Sequence, residues 1–195
     1  MKREAWNTKY AGSEFLWTEE PNRFLVAELD GLAPGRALDL ACGEGRNAVW
    51  LAQQGWAVTG VDFSEVGLAK AAELAESRGV EVEWVAADLL AYVPPPGLDL
   101  AIAFYFQVPD DERRLVFARA AQALAPGGTM LVVAHDLLNL SDGIGGPQEP
   151  DVLYTPEDVV GDLAGLVIER AERVGRPVGE SEAIDALVRA TKPAA

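Results

Sequence analysis

Arg36-Ala-Leu-Asp39-Leu-Ala-Cys-Gly43-Glu-Gly45-Arg-Asn-Ala48 decides the fold of this chain. A short apolar stretch ends in an acid, Asp39. A tight turn with two glycines follows, and an apolar helix pattern begins at Asn47. Strand, turn and helix in that order place a helix N-terminus, with its free N–H groups, beside a backbone that glycine lets a ligand approach. The segment therefore reads as the cradle of a nucleoside-type cofactor, over the end of a parallel sheet.

Outward from that segment, strand and helix signals alternate. Arg36–Ala41 is a first strand and Asn47–Gln54 a helix closed by Gly55. Ala57–Val61 is a second strand. Ser64 caps a helix that runs to Ser77 and stops at Gly79. Glu81–Ala86 and Leu98–Phe104 are the third and fourth strands. The latter is apolar almost throughout, as in strands buried on both faces. Asp110 is expected to cap a helix over Asp111–Leu124. Pro126-Gly-Gly128 then turns into a fifth strand, Thr129–Ala134. Leu137–Pro150 reads as a loop, and Thr155-Pro-Glu-Asp158 as a capping box that opens a helix. Leu166–Val174 and Ile184–Ala190 have no helix pattern between them and form an antiparallel hairpin. Glu19–Leu29, ahead of the core, looks helical. The sum is an α/β fold with a doubly wound, mostly parallel seven-stranded sheet and a C-terminal antiparallel hairpin. It is read as one domain over 1–195, with an N-terminal lid and helix in 1–32 and the α/β core in 33–195.

Composition narrows the partners. The chain has 195 residues and a formal net charge of −15, with no Lys/Arg cluster along one face. Duplex nucleic acid and anionic membrane both require positive charge, so neither is expected. A single cysteine, Cys42, forms no disulfide within the chain. Together with an N-terminus that lacks a signal-peptide pattern, this points to the cytoplasm. No apolar run reaches the ~20 residues of a membrane span.

Three acids sit at strand ends. Asp39 closes the first strand. Asp62 closes the second, ~20 residues after the glycine turn, where a ribose hydroxyl is usually held. Asp88 follows the third, where an acid serves equally well as a helix cap. Carboxylates accept from paired hydroxyls, from an ammonium or from an exocyclic amine, and S-adenosylmethionine carries all three.

On these residues the chain resembles the class I S-adenosylmethionine-dependent methyltransferases. Asp39-Leu-Ala-Cys-Gly43-Glu-Gly45 looks like their first motif, Val61-Asp62-Phe-Ser64 their second, Ala87-Asp88-Leu89 their third, and Leu124-Ala-Pro-Gly-Gly128 the turn before their fifth strand. Ala41 departs from the pattern, since many members have glycine there; alanine fits if its φ is negative. Cys-Gly-Glu-Gly-Arg-Asn47, Trp6-Asn-Thr-Lys-Tyr10, and Gly145-Gly-Pro147 before Leu153-Tyr-Thr155 are similar to small bacterial methyltransferases of the tellurite-resistance type. The resemblance implies S-adenosylmethionine as cofactor and a small-molecule acceptor. It places Gly43, Gly45 and Arg46 near the methionine part, Asp62 at the ribose and Asp88 at the adenine amine. Phe63 and Leu89 would flank the adenine, and Asp39 and Ala87 would belong to the same cofactor site. Tyr10 and Trp6 would cover the methyl side, and Phe104 and Tyr105 would sit under the sulfonium. No metal is implied, and the chain would act as a monomer or homodimer.

Methyl transfer asks for alignment more than for acid–base chemistry. A thiolate or tertiary amine acceptor needs no base; an alcohol or phenol benefits from one. His135, the only histidine, follows the fifth strand and is the candidate base, with Tyr105 and Gln107 as further acceptor-side groups. A purely structural histidine fits the same position. Asp136 is placed either to orient His135 or to meet solvent. Cys42 reads as filler within the turn. Trp6, Tyr10, Phe15 and Trp17 form either a lid or a segment stapled to the core. Gly43-x-Gly45-x-x-Ala48 also fits the permissive fingerprint of an NAD(P)-dependent oxidoreductase. A cofactor-binding protein without catalysis is the third reading.

Overall fold

The computed structural model describes residues 3–12 and 14–194. Among them seven strands form one sheet in the order β3-β2-β1-β4-β5-β7-β6. The chain divides into two compact units.

The first unit runs to Val93 and includes Leu98–Ile102. Helices α1 (Arg3–Tyr10) and α2 (Arg23–Glu28) precede the core. α2 starts four residues later than its sequence pattern suggests, because Asn22 is the residue whose side chain accepts from the Phe24 N–H. Strand β1 (Arg36–Leu40) lies parallel to β2 (Ala57–Asp62), and β2 parallel to β3 (Glu83–Ala86). Their acids therefore come out at one end. Helix α3 (Arg46–Gln53) begins at Gly45, which has φ 81° and supplies no side-chain cap. Helix α4 (Glu65–Arg78) is capped by Ser64, whose Oγ accepts from the Gly67 N–H at 3.1 Å, and stops at left-handed Gly79. Both boundaries agree with the sequence signals.

The second unit holds Pro94–Gly97 and Ala103 onward, so β4 (Leu98–Phe104) runs across the division. Helix α5 (Asp110–Ala123) is entered from Pro109 without a side-chain cap. Asp110 instead lies in the first turn and binds Arg113 Nη1 at 2.7 Å. The helix starts one residue earlier than expected, so Asp110 lies inside it rather than at its cap. Arg113 also binds Asp162 at 2.5 Å and lies over the Tyr154 ring, which ties α5 to α7 (Pro156–Asp162). The capping box of Thr155 and Asp158 forms as its spacing dictates.

Strand β5 (Leu124–His135) begins before the Pro-Gly-Gly turn rather than after it. The turn's own backbone pairs with the chain beyond β7: Gly127 N–H donates to Lys192 O, and Lys192 N–H to Gly128 O, each at 2.9 Å. The predicted loop after β5 contains a short helix, α6 (Asn139–Asp142). β6 (Val167–Val178) and β7 (Ser181–Thr191) form the antiparallel hairpin, with β7 paired to β5. The strands are longer than their apolar stretches because the hairpin's polar outer half pairs as well. No helix among the described residues is long and apolar enough to cross a membrane.

Ala41 overturns one expectation. Its φ is +57°, the left-handed region that glycine occupies freely and alanine does not. Gly43 and Gly45, in the turn that follows, also have positive φ. Ala41→Gly should therefore stabilise the protein by about 0.5–1 kcal/mol, the relief of strain exceeding the added freedom of the unfolded chain. Thermal unfolding should show Tm higher by about 1–4 °C; a lower Tm would mean that the Ala41 methyl makes contacts worth more than the strain.

Candidate functional site: a glycine turn between buried carboxylates

The glycine turn is locked from below. A Cβ on Gly45 would come within 2.6 Å of the Ala71 Cβ and 2.7 Å of the Trp84 ring. No other residue fits there. Gly43 faces the other way, where a Cβ would meet the Tyr10 hydroxyl at 2.8 Å. The Gly43 N–H donates to Asp62 Oδ2 at 2.9 Å, and the Ser64 N–H to Asp62 Oδ1 at 2.8 Å. Asp62 is buried, and burial raises its pKa against the opposing pull of the Ser64, Gly43 and Phe63 backbone N–H groups. A carboxylate has about four lone-pair sites, so these backbone bonds leave it able to accept from a ligand as well.

Asp39 is the most exceptional group of the site. It is 2% exposed, and its Oδ2 has no hydrogen-bond partner. Burial, then the charge of Asp62, pushes its pKa up to about 8, with Arg46 and the Ala48 backbone N–H opposing. A buried carboxyl oxygen without a partner normally costs stability and calls for an explanation. An ammonium or hydroxyl donor from a ligand would satisfy it. These residues fit S-adenosylmethionine on this ground: an acceptor in want of a donor, and a second carboxylate with spare lone pairs.

The N-terminal helix sits directly on this turn. Tyr10 is buried; a Cβ on Gly67 of α4 would approach its ring at 3.2 Å. Burial, then the charges of Asp62 and Glu44, raises the Tyr10 phenol well above its ordinary pKa, so it stays neutral. Trp6 stacks on Tyr10 at 5.3 Å between centroids. Ser64 Oγ donates to Asn7 Oδ1 at 2.6 Å.

Glu44 fastens the segment beyond α1. Its carboxylate accepts from the Leu16 N–H at 2.9 Å and the Trp17 N–H at 3.4 Å, and from Lys70 Nζ at 2.9 Å. Lys70 also donates to Glu14 O at 2.6 Å. The sequence reading passed over both Glu44 and Lys70. The available signal was a carboxylate in a turn whose neighbours are glycines.

The remaining first-unit candidates are less engaged. Phe63, Arg46 and Ala87 are half-buried and Leu89 is buried. The Ala87 N–H donates to Asp62 O at 3.0 Å. Asp88 is exposed, and its Oδ1 accepts from the Leu90 N–H at 2.9 Å. That is the bond of a turn-capping acid, the alternative its position allowed. For Cys42, burial and the charges of Asp39 and Asp62 raise the thiol well above its ordinary pKa, as suits filler rather than a nucleophile.

In the second unit, Phe104 is buried and Tyr105 has φ +57°. Tyr105 and His135 come together, with ring centroids 4.9 Å apart. Gln107 Oε1 accepts from the His135 backbone N–H at 2.7 Å. Asp136 does neither thing expected of it. It is fully buried and binds Arg173 Nε at 2.9 Å and the Leu138 N–H at 2.7 Å. The acid facing His135 is Asp185, its register partner across β5 and β7. Asp185 Oδ1 lies 3.2 Å from His135 Nδ1, with the alignment of a full hydrogen bond not reached. Burial works to raise the Asp185 pKa, but contacts with His135 and Arg176 outweigh it and hold the group below its ordinary value.

Residues 37–128 match the methyltransferase domain family. The chain is similar to demethylmenaquinone methyltransferase of Thermus thermophilus, 42% identical over 106 residues that cover 52% of this chain and 47% of that one. The chain spans about half the length, or less, of the curated relatives it matches. In fold it resembles TehB from Haemophilus influenzae, with a TM-score of 0.74 and 18% identity, over 97% of this chain and 66% of the other. It also resembles the N-methyltransferase NodS of Bradyrhizobium japonicum, solved with S-adenosyl-L-homocysteine. That likeness has a TM-score of 0.74 and 18% identity over 98% of each chain. These likenesses show a shared α/β fold.

Two outcomes test the geometry of the site. Asp39 should destabilise the ligand-free protein in a pH-dependent way. Its folded pKa lies above its unfolded value, so the penalty is absent near pH 4, grows as pH rises and is complete above about pH 8. Asp39→Asn should therefore be more stable than the parent at pH 8, by on the order of a few kcal/mol, and equal to it at pH 4; urea unfolding at the two pH values checks this. Glu44→Gln, which loses the charge that holds Lys70 and two backbone N–H groups, should speed amide hydrogen exchange at Leu16 and Trp17 at least tenfold. Unchanged exchange would show that Glu44 does not hold the segment.

Proposed function

We propose that this chain transfers a methyl group from S-adenosylmethionine to a small-molecule acceptor in the cytoplasm of a bacterium. The observation that carries the reading is the unpartnered, buried Asp39 oxygen beside Asp62 at a turn whose glycines admit no side chain. The relatives it matches are methyltransferases and favour this over hydride transfer.

When bound, the cofactor supplies an already activated methyl group on a sulfonium. The chain's residues then have three tasks. Asp62 accepts the two ribose hydroxyls on the lone pairs that Gly43 and Ser64 leave free. Asp39, Gly43, Gly45 and Arg46 hold the methionine part, with Asp39 taking a donor on its open oxygen. Phe63, Ala87 and Leu89 line the adenine, with Asp88 able to leave its turn for the exocyclic amine. Tyr10 and Trp6 cover the turn and exclude water. Tyr105 and His135 are the acceptor-side groups. Alignment supplies most of the rate in such a reaction, up to ~7–11 kcal/mol in favourable cases.

Asp62→Ala should weaken S-adenosylmethionine binding at least tenfold, since charge-assisted hydrogen bonds are worth roughly 1.5–3 kcal/mol each. Calorimetric titration of a variant shown by circular dichroism to remain folded is the check. Unchanged affinity would refute the cofactor assignment.

A further inference from the structure

We propose that Asp185 is a positioning residue that fixes the tautomer of His135, and that this pair deprotonates a weakly acidic hydroxyl acceptor, a phenol or an enol. The proposal rests on the methyl-transfer reading and names its acceptor class.

The geometry is specific. Asp185 is 0% exposed, the only acid in the stretch Ala183–Val188 of β7. Its Oδ2 accepts from the Tyr105 hydroxyl at 2.9 Å and from Arg176 Nε at 2.8 Å. Its Oδ1 takes neither and faces His135 Nδ1. Both of those atoms are buried and have no other partner. A carboxylate only accepts, so the pair is satisfied when Nδ1 carries the proton, which leaves Nε2 with a free lone pair. Hydrogen bonds of this kind are commonly loose before a substrate binds.

The ring is also held against rotation. A Cβ on Gly146 would meet its Cδ2 and Cγ at 2.8 Å, so that loop packs flat on it, and Tyr105 stands beside it. The charged groups around the ring are Asp185 on β7, Arg176 on β6, and Asp136 next to it in sequence, itself engaged by Arg173. Arg176 neutralises Asp185, and Arg173 neutralises Asp136. Positioning a ring this tightly adds nothing for a thiolate or a tertiary amine, which attack unaided. For a hydroxyl it supplies the missing step. The acceptor proton passes to Nε2, the oxygen forms its bond to the methyl carbon, and the carbon–sulfur bond breaks with its electron pair leaving on sulfur. The imidazolium, paired with Asp185, then releases its proton to solvent.

The chain's single histidine makes the test direct. In 15N-labelled full-length protein, at a pH where the ring is neutral, His135 should show an unprotonated Nε2. Asp185→Asn keeps an oxygen for Tyr105 and Arg176 but turns an amide N–H toward Nδ1, so the proton should move to Nε2. The same variant should lose more than tenfold in turnover of an ordinary phenol, with the KM for S-adenosylmethionine within about twofold of the parent. It should lose less than threefold on a nitrophenol already ionised at the assay pH. Equal loss on both phenols would make Asp185 a merely structural acid and overturn the proposal, as would a protonated Nε2 in the parent. Turnover of thiols but no hydroxyl would overturn the acceptor class. Failure of the parent to bind S-adenosylmethionine, whatever its tautomer, would overturn the methyl-transfer reading and the base assignment with it.

Discussion

Everything at this site hangs on one carboxylate, Asp62, accepting two backbone N–H groups from separate elements. The Gly43 bond ties the turn after β1 to the end of β2, and the Ser64 bond sets the entry to α4. Because these bonds are made from inside the fold, the fold itself buries and orients the carboxylate. Preorganisation of this kind lowers what binding must spend on ordering its own site. The same constraint places Asp62 near Asp39, and the charge it carries helps keep Asp39 protonated at neutral pH. Binding of a cationic donor would reverse that balance, so ligand binding and Asp39 ionisation are linked.

Strain collects around the turn in a consistent way. Ala41 has positive φ, and Gly45 and Gly60 both lie against Trp84 with no room for a side chain. The burial of Trp84 and its neighbours offsets that strain. Residues in rare backbone conformations persist only where their surroundings over-determine them. Tyr105 repeats the pattern in the second unit, where its hydroxyl bond to Asp185 and its contact with His135 hold a left-handed tyrosine in place. Both strained non-glycine residues follow the C-terminal ends of strands, the place where α/β sheets bind ligands.

Glu44 shows how a short motif serves two purposes. Its neighbours let the backbone come close to a ligand, while its own side chain points back to fasten residues 16 and 17. The covering segment is therefore attached to the turn it covers. Any movement of Tyr10 would be felt at Gly43 through direct contact, and at Glu44 through the residues between α1 and α2.

The order of strands and helices, the glycine turn, the Ser64 cap, the Thr155 capping box and the terminal hairpin were all legible in the sequence, because each depends on residues within a few positions of one another. Asp39 and Asp62 were legible too, since a strand that ends in an acid before a turn declares its end. Pairings made across the fold were not. Asp185 meets His135 through the register of two antiparallel strands, far apart along the chain. Glu44 meets Lys70 through the packing of a turn on a helix, and Asp136 was taken by Arg173 instead of by its neighbour. The positive φ at Ala41 was equally beyond the sequence signals, since alanine carries no preference for it. Local periodicity and capping determine which elements exist; only packing, which brings together side chains with no sequence relation, decided which charges became partners.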